Sequence, residues 1–288
     1  MSTAAPPSAM APPPPPIVTT YPSQRTGKTP AVQQNRLSVS TGVAGEFHKI
    51  VFYGEAGTGK SQLIANINNH GESVLFVDID DESSYLNVSR VEPQTWDELL
   101  AVLGDDSLLD GFTAIGVESL TKAQDLATAW VLANIKNDKG NACRYIEDYG
   151  WGKGYAHVYE TFLHLLSALD RIHRSGKHII CTGHECGTNV PNPAGEDFLQ
   201  YQPRLQTIAG GKHSIRHRVK EWCGHLFFFH KDTSVNKEGK AVGTGAVTIY
   251  PFGVPTWWAK SRSPHINEQI IYPEGDTTLW KQLLQKGQ

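Results

Sequence analysis

The chain has 288 residues, 39% of them hydrophobic, and 26 basic against 29 acidic side chains give a formal net charge of −3. That length allows one large domain or two small ones, and the near-balanced charge excludes a globally basic nucleic-acid binder while leaving room for a local basic patch. The four cysteines, Cys143, Cys181, Cys186 and Cys223, outline no disulfide framework, and no apolar run is long enough to span a bilayer, so no membrane role is expected.

Residues 1–40 are expected to form a disordered tail. Pro12 to Pro16 is a proline run, and Ser, Thr and Gln fill much of the remainder. Such a segment buries too little apolar surface to offset its ordering entropy. With neither a charged start nor an apolar stretch, it does not read as a signal peptide. Residues 41–288 are expected to form the folded domain.

From about residue 46 strand and helix signals alternate, which predicts an α/β domain with a mostly parallel sheet flanked by helices. Strands are predicted at Lys49–Tyr53, Val74–Asp78, Ala114–Val117, His178–Thr182 and Leu226–His230. Helices are predicted at Ser61–Asn69, Thr95–Leu103, Leu120–Lys136 and Val158–His173. The last of these is read as a core-facing helix, with Val158, Phe162, Leu165, Leu166, Leu169 and Ile172 at helical spacing. Beyond residue 230, Val235–Gly245 reads as a hairpin turn, and Val247–Pro251 and Thr256–Lys260 as late antiparallel strands.

Between the first strand and the first helix lies Gly54-Glu55-Ala56-Gly57-Thr58-Gly59-Lys60-Ser61, which fits G-x-x-x-x-G-K-[ST] in its required strand–loop–helix setting. Glycines let the backbone curl so that its N–H groups face phosphate, and the helix N-terminus adds positive potential there. Residues Gly54 to Gln62 are therefore expected to bind ATP, with Lys60 on the β- and γ-phosphates and Ser61 on Mg²⁺. A protein that works on ATP is expected in the cytoplasm.

Three further strand ends carry candidate chemistry. Ala114-Ile115-Gly116-Val117-Glu118 ends on an acid, and Glu118 is read as the metal-side residue. Phe76-Val77-Asp78-Ile79-Asp80-Asp81-Glu82 places four acids in five positions at a ligand-facing edge. Asp80 is the choice for orienting the attacking water, with Asp78 in reserve. Cys181-Thr182-Gly183-His184 offers His184 as a sensor of the γ-phosphate. Zinc ligation by Cys181, His184, Cys186, His213, His217, Cys223 and His225 matches no standard module.

Residues 186–222 read as a long loop. Arg204, Lys212, His213, Arg216, His217, Arg218 and Lys220 gather in it, with Phe198, Tyr201 and Trp222 interleaved. That composition suits single-stranded nucleic acid, through phosphate neutralisation and base stacking, and also suits a subunit interface.

Taken together, these residues resemble RecA-like ATPases of bacteriophage type, the single-strand-annealing or recombination ATPases reduced to the core domain. The resemblance covers roughly residues 46–263. It rests on the Gly54–Ser61 loop, Val77-Asp78-Ile79-Asp80, Val117-Glu118-Ser119-Leu120-Thr121, Tyr149-Gly150-Trp151-Gly152-Lys153-Gly154-Tyr155 and Thr182-Gly183-His184-Glu185. Tyr201-Gln202-Pro203, Lys220-Glu221-Trp222 and Ala259-Lys260-Ser261-Arg262 complete the series. It implies a water-activating acid at Asp80, a sensor at His184, single-stranded DNA contacts at about residues 186–213, and a homo-oligomer in which Lys260 and Arg262 reach the neighbour's ATP. Two departures stand out. The carboxylate lengths at Asp80 and Glu118 are exchanged relative to the family, and no Phe-x-x-Ala polymerisation motif is visible in the N-terminal arm. A small-molecule or nucleoside kinase and a non-catalytic nucleotide-dependent switch remain the alternative functions.

Overall fold

The computed structural model describes residues 47–235 and 241–285. The tail expected at residues 1–40 and the tip of the late hairpin lie outside the described residues. Lys49–Gly54 (β1), Val74–Asp78 (β2), Ser89–Val91 (β3), Ala114–Glu118 (β4), His178–Gly183 (β5) and His225–Val235 (β8) form a parallel array in the order β8-β1-β5-β4-β2-β3. Ala241–Tyr250 (β9) and Ile270–Tyr272 (β10) extend it antiparallel beside β8. A separate antiparallel pair is made by Glu185–Val190 (β6) and Phe198–Pro203 (β7). This is the fold of P-loop nucleoside triphosphatases.

Every residue of β2, β4 and β5 is buried, as parallel strands covered on both faces require. The period-two alternation of the strands divides the core. Val51, Tyr53, Leu75, Val77, Ile115, Val117, Ile179 and Cys181 face one side. There they meet Trp96–Gly104 (α2), Leu120–Asn134 (α4), Lys153–Arg174 (α5) and Ile215–Trp222 (α6). Asp106–Leu109 (α3) is a single turn between α2 and β4. Ile50, Phe52, Val74, Phe76 and Ile180 face the other side, against Lys60–Ala65 (α1) and Thr278–Leu283 (α7). On α5, Val158, Phe162, Leu165, Leu166, Leu169 and Ile172 are all buried, as their spacing predicts. Thr95 caps α2 by accepting from the Glu98 N–H at 3.2 Å, and the Glu98 carboxylate accepts from the Gln94 N–H at 2.8 Å.

Several expectations are corrected. The predicted loop 186–222 contains the β6–β7 hairpin and α6. The hairpin is half-exposed and has no apolar run to announce it. In α6 the buried set Ile215, Val219 and Trp222 is masked in sequence by the intervening basic residues. The strand expected at Thr256–Lys260 is irregular chain that makes only isolated bridges, Trp257 with Tyr201 and with Val254, and Lys260 with Leu226. The first helix turns into a 3-10 segment, Asn66–His70, after Ala65.

Three histidines cluster where β1, β5 and β8 begin. His48 Nδ1 lies 3.2 Å from His225 Nε2, and the His48 N–H donates to His178 Nδ1 at 3.2 Å. Burial holds all three below the ordinary value, His178 at about 4 and His225 at about 3, while the Glu72 carboxylate opposes the shift at His178. A histidine kept neutral by folding contributes stability above its unfolded value of 6.5, and that contribution falls as pH drops through the window down to the folded value. The unfolding free energy measured by urea titration is therefore expected to fall from pH 6.5 to pH 4.5, by about 1 kcal/mol per pH unit for each of His178 and His225. His225→Gln is expected to flatten that slope.

Candidate functional site

The site is assembled at the C-terminal ends of β1, β4 and β5, where the loop Glu55–Gly59 runs from β1 into α1. Gly57 and Gly59 take left-handed φ values of 72° and 80°. Their missing Cβ atoms are what allow the curl. A Cβ on Gly59 would lie 2.8 Å from Tyr272 Cε1, so the tyrosine ring supports the loop from behind. At Gly54 a Cβ would sit 2.1 Å from the Phe229 carbonyl oxygen, so β1 and β8 close up only on glycine.

A cavity opens over this loop, lined by Ala56 to Gln62 together with Glu82, Glu118, Ser119, Thr182, Gly183 and His184. Lys60 is buried, and its ammonium donates to Glu55 O at 2.8 Å, Gly54 O at 3.2 Å and Thr58 Oγ1 at 3.3 Å. Burial lowers its pKa, opposed by the carboxylates of Glu118, Glu82 and Glu185. Glu118 is 3% exposed, and its Oε1 accepts from Thr182 Oγ1 at 2.7 Å. Its Oε2 is buried with no hydrogen-bond partner. Burial raises Glu118 to about 7, against the pull of the Thr182 and Ser61 hydroxyls and the Lys60 ammonium.

That carboxylate, sharing the cavity with the Ser61 hydroxyl, tests the site for a cation. A buried carboxylate and the Ser61 hydroxyl that acts on it form a hard-oxygen donor set, which suits Mg²⁺. The residues present fit the ion.

The other sequence-predicted residues fall into three groups. Ala56 to Gln62, Glu118 and His184 line the cavity, while Gly54 ends β1 and Glu55 opens the loop outside that lining. His184 is half-buried, its N–H donates to Thr121 Oγ1 at 3.1 Å, and burial with the nearby Arg204 and Lys60 charges keeps its ring pKa low. Asp80 stands beside the cavity without lining it, and its Oδ2 accepts from Ser119 Oγ at 2.6 Å. Asp78 is buried and accepts from the Ser83 N–H at 2.8 Å and the Ser83 hydroxyl at 2.5 Å. It staples the turn that follows β2.

Lys260 and Arg262 lie apart from the loop of their own chain. Lys260 exchanges backbone hydrogen bonds of 2.9 and 2.8 Å with Leu226, which stands opposite Val51, three residues before Gly54. That is about 10 Å of strand away from the loop. Around Lys260 are Lys220, whose ammonium lies 3.9 Å over the Trp258 ring, and Lys49, 4.9 Å over Trp222. Burial is the main cause that lowers both Lys220 and Lys260; the Lys260 charge adds to it at Lys220, and the Arg262 and Lys49 charges add to it at Lys260.

Glu82, Thr182 and Lys231 are the site residues that sequence reading missed. The Lys231 ammonium donates to Ala56 O at 3.2 Å and lies 3.5 Å from the Glu55 carboxylate. Its signal was its place two residues past Phe229, the partner of Gly54 in β8.

The basic segment also divides. Arg216 is 7% exposed, and its guanidinium donates to Gln202 Oε1 at 2.7 Å, to Leu205 O and Thr188 Oγ1 at 3.2 Å, and to Cys186 Sγ at 3.2 Å. It pins α6 to the β6–β7 hairpin. Trp222 is buried and donates to Asp170 Oδ1 at 2.8 Å. Arg204, Lys212, His217 and Arg218 are exposed.

A parallel sheet, a glycine loop closing on a buried lysine, and a carboxylate two strands away together define a P-loop nucleotide-binding domain. A family profile described as an AAA domain matches residues 46–263, and the chain belongs to that family. A comparison with curated proteins finds no match. Among the described residues no helix is long and apolar enough to cross a membrane.

Gly59→Ala is expected to weaken binding of a fluorescent ATP analogue at least tenfold, because strain of about 1–2 kcal/mol and the Tyr272 contact both oppose the loop conformation. Gly71→Ala, which has a comparable φ of 83° but nothing within 4 Å, is expected to lose stability and leave that affinity intact. Arg216→Ala is expected to lower the unfolding free energy by about 3 kcal/mol in urea titration, and Arg218→Ala to leave it within about 0.5 kcal/mol.

Proposed function

We propose that the chain is an ATPase that binds ATP with Mg²⁺ at the Gly54–Gln62 loop and hydrolyses the β–γ bond. The observation that carries this reading is the cavity over the glycine loop, which gathers the buried Lys60 ammonium, the Ser61 hydroxyl and the buried carboxylate of Glu118. In this reading the amides of Gly57 to Ser61 and the Lys60 ammonium hold the phosphate chain, Lys60 exchanging its loop carbonyl partners for phosphate oxygens. Ser61 and Glu118 hold the cation, which when bound neutralises charge developing on the phosphate oxygens. His184 meets the γ-phosphate end and passes its presence into the β6–β7 hairpin, which starts at the next residue.

We further propose that turnover is coupled to binding or annealing of single-stranded DNA, of the kind that serves bacteriophage recombination or replication. The exposed cations Arg204, Lys212 and Arg218 support this reading, as they sit on the segment that follows His184. Lys260 and Arg262 would serve the nucleotide of a neighbouring subunit. Among the described residues neither has an ion-pair partner, and neither stands near its own loop, which supports an action in trans.

Phosphate release from ATP is expected without any acceptor substrate, to rise several-fold with single-stranded DNA, and to fall at least 100-fold in Lys60→Ala. Mixing Lys60→Ala with Lys260→Ala is expected to recover part of the activity, because one mixed junction pairs an intact loop with an intact Lys260. Transfer of phosphate to a nucleoside in place of water would favour a kinase, and ATP binding with no release would favour a switch.

A further inference from the structure

Hydrolysis is helped by a group at the cavity that takes a proton from the attacking water or positions it, and a carboxylate with no other commitment can do the former. The turn after β2 offers Asp78, Asp80, Asp81 and Glu82. Asp78 is buried and spent on Ser83 and on the Glu82 N–H, at 3.3 Å from its Oδ1. Asp80 gives its Oδ2 to Ser119 and does not line the cavity. Asp81 carries the left-handed φ of 57° that reverses the chain, and it too stands outside the lining.

Glu82 is the one member of the four that lines the cavity, in company with Lys60, Glu118 and His184. Among the described residues its carboxylate has no hydrogen-bond or ion-pair partner, although its backbone is held by Asp78. Its charge is felt at all three of those neighbours. The strained Asp81 and the Asp78 staple fix where Glu82 emerges, so the position is built by the turn.

We infer that Glu82, and not Asp80, is the catalytic base that activates the attacking water. This rests on the proposed ATP hydrolysis. The water oxygen bonds to the γ-phosphorus as the bond from that phosphorus to the β–γ bridging oxygen breaks, and ADP leaves with the bonding electron pair. One water proton passes to the Glu82 carboxylate and from there to solvent. No oxidant or reductant is required.

The test compares wild type, Glu82→Gln, Glu82→Asp and Asp80→Asn for single-turnover phosphate release, for affinity towards a fluorescent ATP analogue with Mg²⁺, and for melting temperature. Removing a general base typically costs about 100- to 10,000-fold. Glu82→Gln is expected to lose at least 100-fold in rate, with affinity within about threefold and melting temperature unchanged, since the side chain is exposed. Glu82→Asp keeps a carboxylate on a shorter arm and is expected to retain more activity than the glutamine variant. Asp80→Asn, with its amide still able to accept from Ser119, is expected to lose less than tenfold. An active wild type with Glu82→Gln within fivefold of it, or Asp80→Asn falling further than Glu82→Gln, overturns the assignment alone. A wild type that binds the analogue and releases no phosphate overturns hydrolysis itself, and the role of Glu82 with it.

Discussion

The site depends on holding an ammonium and a carboxylate out of water at the ends of two strands with a third between them. Lys60 follows β1 and Glu118 ends β4, and Thr182 on the intervening β5 donates to the carboxylate. Taking either charge out of water costs several kcal/mol, and each is only partly compensated by its neighbours. The opposing shifts express this: burial lowers the lysine and raises the glutamate, and each pulls the other back. The sheet order β1-β5-β4 makes the arrangement stable, because it sets the three strand ends side by side without needing any loop to reach across. A cation and a phosphate chain would complete what the protein leaves unfinished there.

Around that centre the basic side chains do different work from what their clustering suggests. Arg216 is a buried cation satisfied by neutral acceptors, and it fastens a helix to a hairpin that would otherwise have little apolar surface to hold it. Lys49 and Lys220 lie over indole rings, where the ring face receives positive charge. What is left exposed is a smaller set, Arg204, Lys212 and Arg218. Charge counted along the chain thus overstates the charge available to a partner.

The strands were legible because each is a short apolar run buried on both faces; β2 spans Val74–Asp78 in both the sequence reading and the structure. The glycine loop was legible because its constraint is local: left-handed angles at fixed spacing before a lysine. The hairpin and α6 were not. Their burial comes from packing against distant chain, as with Gln202 and Leu205 on Arg216, and no local period carries that information. In the acidic turn, residue type alone could not separate four carboxylates. Their hydrogen-bond commitments separate them, and those follow from the left-handed Asp81 and from Ser119, 39 residues away from Asp80.

The second face of the sheet carries a consequence for where the folding unit stops. Trp280 is fully buried and donates to Leu63 O at 2.7 Å, Tyr272 stands behind Gly59, and Ile266, Ile270, Leu279 and Leu283 complete the apolar layer under α1. All of them lie beyond residue 263, where the family match ends. A protein cut at that boundary would keep every phosphate-facing group and lose the floor beneath them, uncovering Phe52 and Leu63, which Trp280 touches. The homologous segment and the autonomous folding unit are therefore different lengths of chain, and the last twenty or so described residues belong to the machinery as its foundation.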